Sequence, residues 1–179
     1  MTTPRALALA LTMFAGAAAV SATDIAVTPV ISGDGHVIAS FTAPAGAYDD
    51  AREAIQTGLL LTFTYAVELR RPSSIWFDRT LAETTAAATV KFDSLTGMYQ
   101  VSKLRDGRVV WSERTDKESD LRGWLTSFDQ IALEPTEPLE PNADYYVRVR
   151  MRISPRRTFS IWPWRGDDSS GRKDFTFIR

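Results

Sequence analysis

Between Tyr145 and Ile153 the chain alternates without a break. Tyr145, Val147, Val149, Met151 and Ile153 interleave with Tyr146, Arg148, Arg150 and Arg152. Successive side chains of a strand point to opposite faces, so this segment reads as a strand with one apolar and one strongly cationic face. A slip of one residue would swap those faces, so the register must bury the first set and leave the arginines at a surface.

The remaining segments follow the same rule more weakly. Ile25 to Ile31 and His36 to Thr42 are short β-branched runs joined by Ser32-Gly33-Asp34-Gly35, a strong hairpin signal. Leu59 to Arg70 alternates, with Phe63, Tyr65, Val67 and Leu69 on one side and Thr62, Thr64, Ala66 and Glu68 on the other. Thr85 to Phe92 and Met98 to Leu104 flank a polar turn ending in Gly97, which predicts a second hairpin. Arg105-Asp106-Gly107 turns the chain into Arg108 to Ser112, with Val109 and Trp111 expected to face one way, and Asp174 to Ile178 reads as a closing strand.

Two segments predict helix. Tyr48 to Thr57 starts with Asp49 and Asp50 and is followed by Gly58, as a short capped helix would be. From Ser119 to Leu133 the residues Leu121, Trp124, Leu125, Phe128 and Ile131 recur at helical spacing, with Ser119 or Asp120 as the cap and Pro135 as the stop. Glu134 to Asn142 reads as an extended proline-rich spacer. Many short strands with regular turns and two small helices predict a mainly β fold, an antiparallel β-sandwich whose helices cover an edge or end.

Residues 1–22 carry the three-part layout of a secretory signal: Arg5, then the apolar run Ala6 to Val20, then the small residues of Val20-Ser21-Ala22. An apolar run of this length falls short of the roughly 20 residues that cross a bilayer core. The expectation is removal of 1–22, leaving one domain over 23–179 with no transmembrane segment. The chain has 21 basic and 22 acidic residues and no cysteine. Near-balance gives no argument for nucleic acid, and the absence of cysteine excludes disulfides, thiolate metal sites and a cysteine nucleophile. Export without disulfides fits a bacterial envelope, the periplasm where the source has two membranes.

The blocks Gly58-Leu59-Leu60-Leu61-Thr62-Phe63, Glu68-Leu69-Arg70-Arg71-Pro72, Trp76-Phe77-Asp78, Phe92 to Val101 and Tyr145 to Met151, in this order and spacing, resemble the bacterial exported family catalogued as domain of unknown function 4390. The resemblance covers nearly all of the chain after the signal. It departs at Trp162-Pro163-Trp164 and Gly166-Asp167-Asp168, which match no family block. The family carries no established activity, cofactor or catalytic residue. It implies an exported protein, often encoded near a membrane sensor kinase of the nitrogen-regulation type, which makes an envelope protein of that kind a candidate partner.

No residue set stands out as catalytic or metal-binding, and no cofactor is expected. His36, the only histidine, follows a Gly-Asp-Gly turn and reads as a turn residue. Asp49 and Asp50 read as a helix start, and Asp167 and Asp168 as a solvated loop. The adhesion-like tripeptide Arg165-Gly166-Asp167 has no integrin to meet in a bacterial envelope. The binding candidates are Arg148, Arg150 and Arg152, with Trp76, Trp162 and Trp164. Three cations two residues apart need acids on neighbouring strands, for which Glu68, Glu83 and Asp93 are candidates, or else they form a cationic strip for an acidic partner, a glycan or lipid headgroups. The tryptophans either stack on a ligand or plug the open end of the sandwich. The function expected is a non-enzymatic interaction module of the envelope; the alternative is a hydrolase acting on an envelope polymer through Asp and Glu from separate loops.

Overall fold

The alternation at Tyr145 sets the register of the larger of two sheets. A computed structural model describes residues 24–31, 36–75, 77–155 and 169–178. Among them are nine strands and two helices: β1 Ala26–Ile31, β2 Val37–Thr42, α1 Ala45–Gln56, β3 Leu61–Arg71, β4 Arg79–Asp93, β5 Met98–Arg105, β6 Arg108–Thr115, α2 Glu118–Thr126, β7 Ser127–Leu133, β8 Asp144–Pro155 and β9 Ser170–Thr176. The strands form two antiparallel sheets, a three-stranded one ordered β1-β2-β7 and a six-stranded one ordered β6-β5-β4-β3-β8-β9.

Strand β3 lies at the middle of the large sheet. Its Leu69, Val67, Tyr65 and Phe63 pair with Val147, Val149, Met151 and Ile153 of β8, so the apolar sets of both strands share the inner face. The small sheet packs on that face. Phe41 of β2 and Phe128 of β7 meet the Tyr65 ring, each at 5.0 Å between centroids. The buried Tyr65 hydroxyl donates to the Leu125 carbonyl at 2.8 Å, which ties α2 to the same core and satisfies the one polar atom the ring brings inside. The helices cover the inner face over β4 and β5, at the end of the small-sheet layer.

The third junction is backbone against backbone. Ile25 donates to the Ser170 carbonyl at 3.3 Å, and a Cβ built on Gly171 would lie 2.0 Å from the Ile25 carbonyl oxygen. Only glycine permits so close an approach of β1 to β9.

Three local expectations need correction. The segment Ser119 to Leu133 is not one helix: it stops at Thr126 and continues directly as β7. A bulge explains the false period. Asp129 and Gln130 together stand opposite Ser40, between the pairs Phe41↔Phe128 and Ala39↔Ile131, and Gln130 takes φ 54°. The extra residue puts Phe128 and Ile131 on one face three positions apart, which imitates helical spacing. The N-cap of α2 is Lys117 rather than Ser119 or Asp120.

Helix α1 starts at Ala45, so Asp49 and Asp50 lie beyond its first turn and do not mark its start; Gly58, at φ 82°, does follow its end. Val109 and Trp111 face opposite ways, because a register shift pairs Val109 with Leu104 on the outer face and Trp111 with Lys103 on the inner one. The segment 1–22, the turn Ser32 to Gly35, and Trp76, Trp162, Trp164, Arg156, Arg157 and residues 165–168 lie outside the described residues.

Candidate functional site

The outer face of the large sheet has no second layer among the described residues, and the arginines stand on it. The β3–β8 register sets Glu68 opposite Arg148, Ala66 opposite Arg150 and Thr64 opposite Arg152. Glu68 thus has a cation as its direct cross-strand neighbour and another one step along the same face. Its carboxylate accepts from Arg148 Nη2 at 2.7 Å, from Arg150 Nη2, and from Arg70 Nη1 at 3.5 Å. Arg70 reaches it because it lies two residues on in β3 and therefore on the same face.

Glu68 is only 4% exposed although it lies on the outer face, because the three arginine side chains lie over it. Burial by itself would push its carboxyl upward. Hydrogen bonds and charge from Arg148, then Arg150, outweigh that, and the group is held below the usual carboxylate value. Three guanidiniums on one carboxylate leave positive charge in excess. Arg148 and Arg150 each give Glu68 a single N–H of the five a guanidinium carries. Among the described residues, Arg150, 53% exposed, therefore keeps donors that face solvent, while the Arg148 Nε is buried without a partner.

A second cluster continues the face toward the β3–β4 connection. Asp78 accepts the Tyr146 hydroxyl at 2.6 Å and the Ser73 amide at 3.1 Å, and its carbonyl accepts Arg70 Nη2 at 2.7 Å. Those bonds, from Tyr146 first, hold the Asp78 carboxyl below its ordinary value. Arg172 of β9 lies over the Tyr146 ring at 3.6 Å and donates to Asp174 at 2.6 Å. Arg70 therefore links two acids, Glu68 through its side chain and Asp78 through the backbone.

Of the acids proposed for the arginines, Glu68 supplies the pairing. Glu83 faces Glu68 across β3 and β4 and is exposed, whereas Asp93 accepts the Leu95 amide at 3.0 Å in the β4–β5 turn. Arg148 and Arg150 are brought together, and Arg152 stands further along the same face. The parts not singled out from sequence are Arg70, Arg172, Asp78 and Tyr146. Arg70 was signalled by its two-residue spacing from Glu68; the others become neighbours only through strand order.

The helices frame a polar cleft of about 250 Å³ lined by Tyr48, Asp49, Arg52, Glu118, Ser119 and Arg122. Its two carboxylates are each taken by an arginine, Arg52 to Glu118 at 2.5 Å and Arg122 to Asp49 at 2.6 Å, and Tyr48 donates to Glu118 at 3.0 Å. Arg52 chiefly holds the Glu118 carboxyl below its usual value, which is the wrong direction for a general acid at neutral pH. Among the described residues no three His, Asp or Glu side chains gather as a bound cation would require, and no helix is long and apolar enough to cross a membrane.

No curated protein and no solved structure matches the chain. A family model does, over residues 20–157, a span that holds β3, β4, β8 and with them Glu68, Arg70, Asp78, Arg148 and Arg150. The chain belongs to the family described as domain of unknown function (DUF4390).

Proposed function

We propose that the protein is an exported, non-enzymatic interaction module of the bacterial envelope that docks an acidic partner on the outer face of its large sheet. The observation that carries this reading is the Glu68 cluster. A buried carboxylate fixes guanidiniums in place and leaves them with net positive charge and unused donors. Immobilised donors lose less conformational freedom on binding, which favours recognition of a carboxylate or phosphate. The partner we propose is an envelope protein, and the exported segment of a membrane sensor kinase is the first to try. Export itself rests on residues 1–22, with cleavage between Ala22 and Thr23; N-terminal sequencing of the exported protein checks it. The hydrolase alternative needs a carboxyl raised toward neutrality, and among the described residues the acids with a displaced titration, Glu68, Asp78, Asp93, Glu118 and Glu140, are displaced downward.

The test is capture from envelope extract by wild type and by Arg150→Gln/Arg152→Gln, which leaves Arg70 and Arg148 on Glu68. Capture should weaken in the variant, and wild-type capture should fall between about 0.05 M and about 0.5 M salt as screening shortens the reach of exposed charge. Capture indifferent to both would remove the arginine face as the docking surface.

A further inference from the structure

The β3–β4 connection, residues 72–78, carries a tip that the fold leaves bare. Ile75 and Phe77 are 82% and 94% exposed. Two large apolar side chains held in water at one tip are unfavourable unless something covers them. The tip is not free to fold back. Asp78 fastens its base to β8 through the Tyr146 hydroxyl, to β3 through Arg70, and to the start of the loop through the Ser73 amide.

Around that base runs a collar of ion pairs. Arg71 and Arg79 stand directly opposite each other where the hairpin begins, an arrangement that would repel. Each has its own acid from the 134–142 segment, Glu140 at 2.6 Å for Arg71 and Glu137 at 2.9 Å for Arg79. Arg172 with Asp174 at 2.6 Å completes the collar on the β9 side. Its charges alternate in sign and balance.

We propose that this loop is a bilayer-docking tip: Ile75 and Phe77 enter the interfacial layer of a zwitterionic membrane, and the collar of ion pairs meets headgroups that carry both charges. A convex apolar pair above a two-signed collar matches a layer that is apolar within and two-signed at its surface. A strongly anionic surface would call for cations in excess of acids, and the collar pairs three arginines with three acids. The inference goes beyond partner docking on the sheet face and uses none of Arg148, Arg150 and Arg152. It rests on Ile75 and Phe77; Trp76 between them lies outside the described residues.

The test is co-sedimentation of the protein with vesicles of phosphatidylethanolamine and phosphatidylcholine. Wild type should pellet with the vesicles, and Ile75→Ser and Phe77→Ser should each weaken binding on the order of tenfold to a hundredfold, the value of one large apolar side chain. Both positions are exposed, so thermal melts of the variants should match wild type. Binding should change by less than about threefold between about 0.05 M and 0.5 M salt, because apolar burial is not screened. Arg150→Gln/Arg152→Gln should bind vesicles like wild type, which separates this inference from the sheet-face reading. It is overturned if wild type stays in the supernatant, if both serine variants bind undiminished, or if binding appears only on vesicles with anionic lipid and vanishes at high salt.

Discussion

Glu68→Gln removes the charge at the centre of the arginine cluster while keeping its shape. Before the change, Arg148 at 2.7 Å, Arg150 and Arg70 at 3.5 Å all share one carboxylate. A unit-charge pair near 4 Å is worth about 4 kcal/mol at an effective dielectric of about 20, and the desolvation of a buried ion offsets several kcal/mol of that. The arginine side chains keep 17%, 30% and 53% exposure at positions 70, 148 and 150, so water partly screens the charges the substitution leaves behind. The substituted side chain also turns an amide donor toward guanidinium donors. The expected loss is about 2–3 kcal/mol, below the range of about 3–5 kcal/mol seen when a buried pair is broken and the remaining charge is fully buried.

The reverse deletion is of similar size. Arg148→Gln/Arg150→Gln leaves Glu68 with Arg70 alone at 3.5 Å, but it also shortens two of the three side chains that cover the carboxylate, so water re-enters and about 2–3 kcal/mol should be lost rather than the cost of a charge left fully buried. The triple variant with Glu68→Gln keeps no charge at the centre and should lose less than the sum of the two. Urea unfolding followed by circular dichroism reads the series, since a slope of about 2 kcal/mol/M turns these losses into midpoint shifts of about 1–2 M. Additive effects, or a Glu68→Gln variant within about 0.5 kcal/mol of wild type, would refute the reasoning, because a coupled cluster must give a large interaction term.

Three further outcomes follow from the same structure. Gly171→Ala should destabilise by about 1–3 kcal/mol or more, because its Cβ would meet the Ile25 carbonyl at 2.0 Å and force β1 off β9; a thermal melt reads it. Tyr65→Phe should cost about 1–3 kcal/mol in urea unfolding, since the buried Leu125 carbonyl loses its donor at 2.8 Å. On acidification, Glu68 and Asp78, both displaced downward, contribute stability that is fully present above the ordinary carboxylate value and lost as pH falls through their lowered folded values. The melting temperature should therefore hold from about pH 7 to pH 5 and drop below about pH 4, less steeply in Glu68→Gln.

What the sequence discloses here is the regular part of each strand, and what it hides is irregularity. From Val147 to Arg152 the strand is buried and more exposed in the alternation its residues display, because β8 has neighbours on both edges and one covered face; Tyr146 departs from it, buried on the outer face with Arg172 over its ring. Phe128 and Ile131 mislead because the bulge at Asp129 and Gln130 adds one residue, and a period of two with an insertion looks locally like 3.6. Val109 and Trp111 mislead for the same reason at the β5–β6 shift. For the site, the arginines and Glu68 were legible as candidates, since each sits on a readable strand. That Glu68 faces Arg148, and that Tyr146 reaches Asp78 across 68 positions, depends on which strands become neighbours, and no local pattern encodes it.

The two surfaces lie in an order that fits the two roles proposed for them. The tip follows Arg71 at the end of β3, and the arginines run the other way along β8, Arg148 opposite Glu68, Arg150 opposite Ala66 and Arg152 opposite Thr64. At about 3.3 Å per residue, Arg152 lies roughly 20 Å along the sheet from the base of the loop. A molecule seated on a bilayer by Ile75 and Phe77 would hold Arg150 and Arg152 clear of the headgroups, beyond the reach of about 10 Å that unscreened charge has at ordinary ionic strength. On the two proposals together, the ion-pair and docking roles of the arginines cease to compete: Glu68 fixes Arg70, Arg148 and Arg150, and the exposed part of that face would meet whatever stands above the membrane.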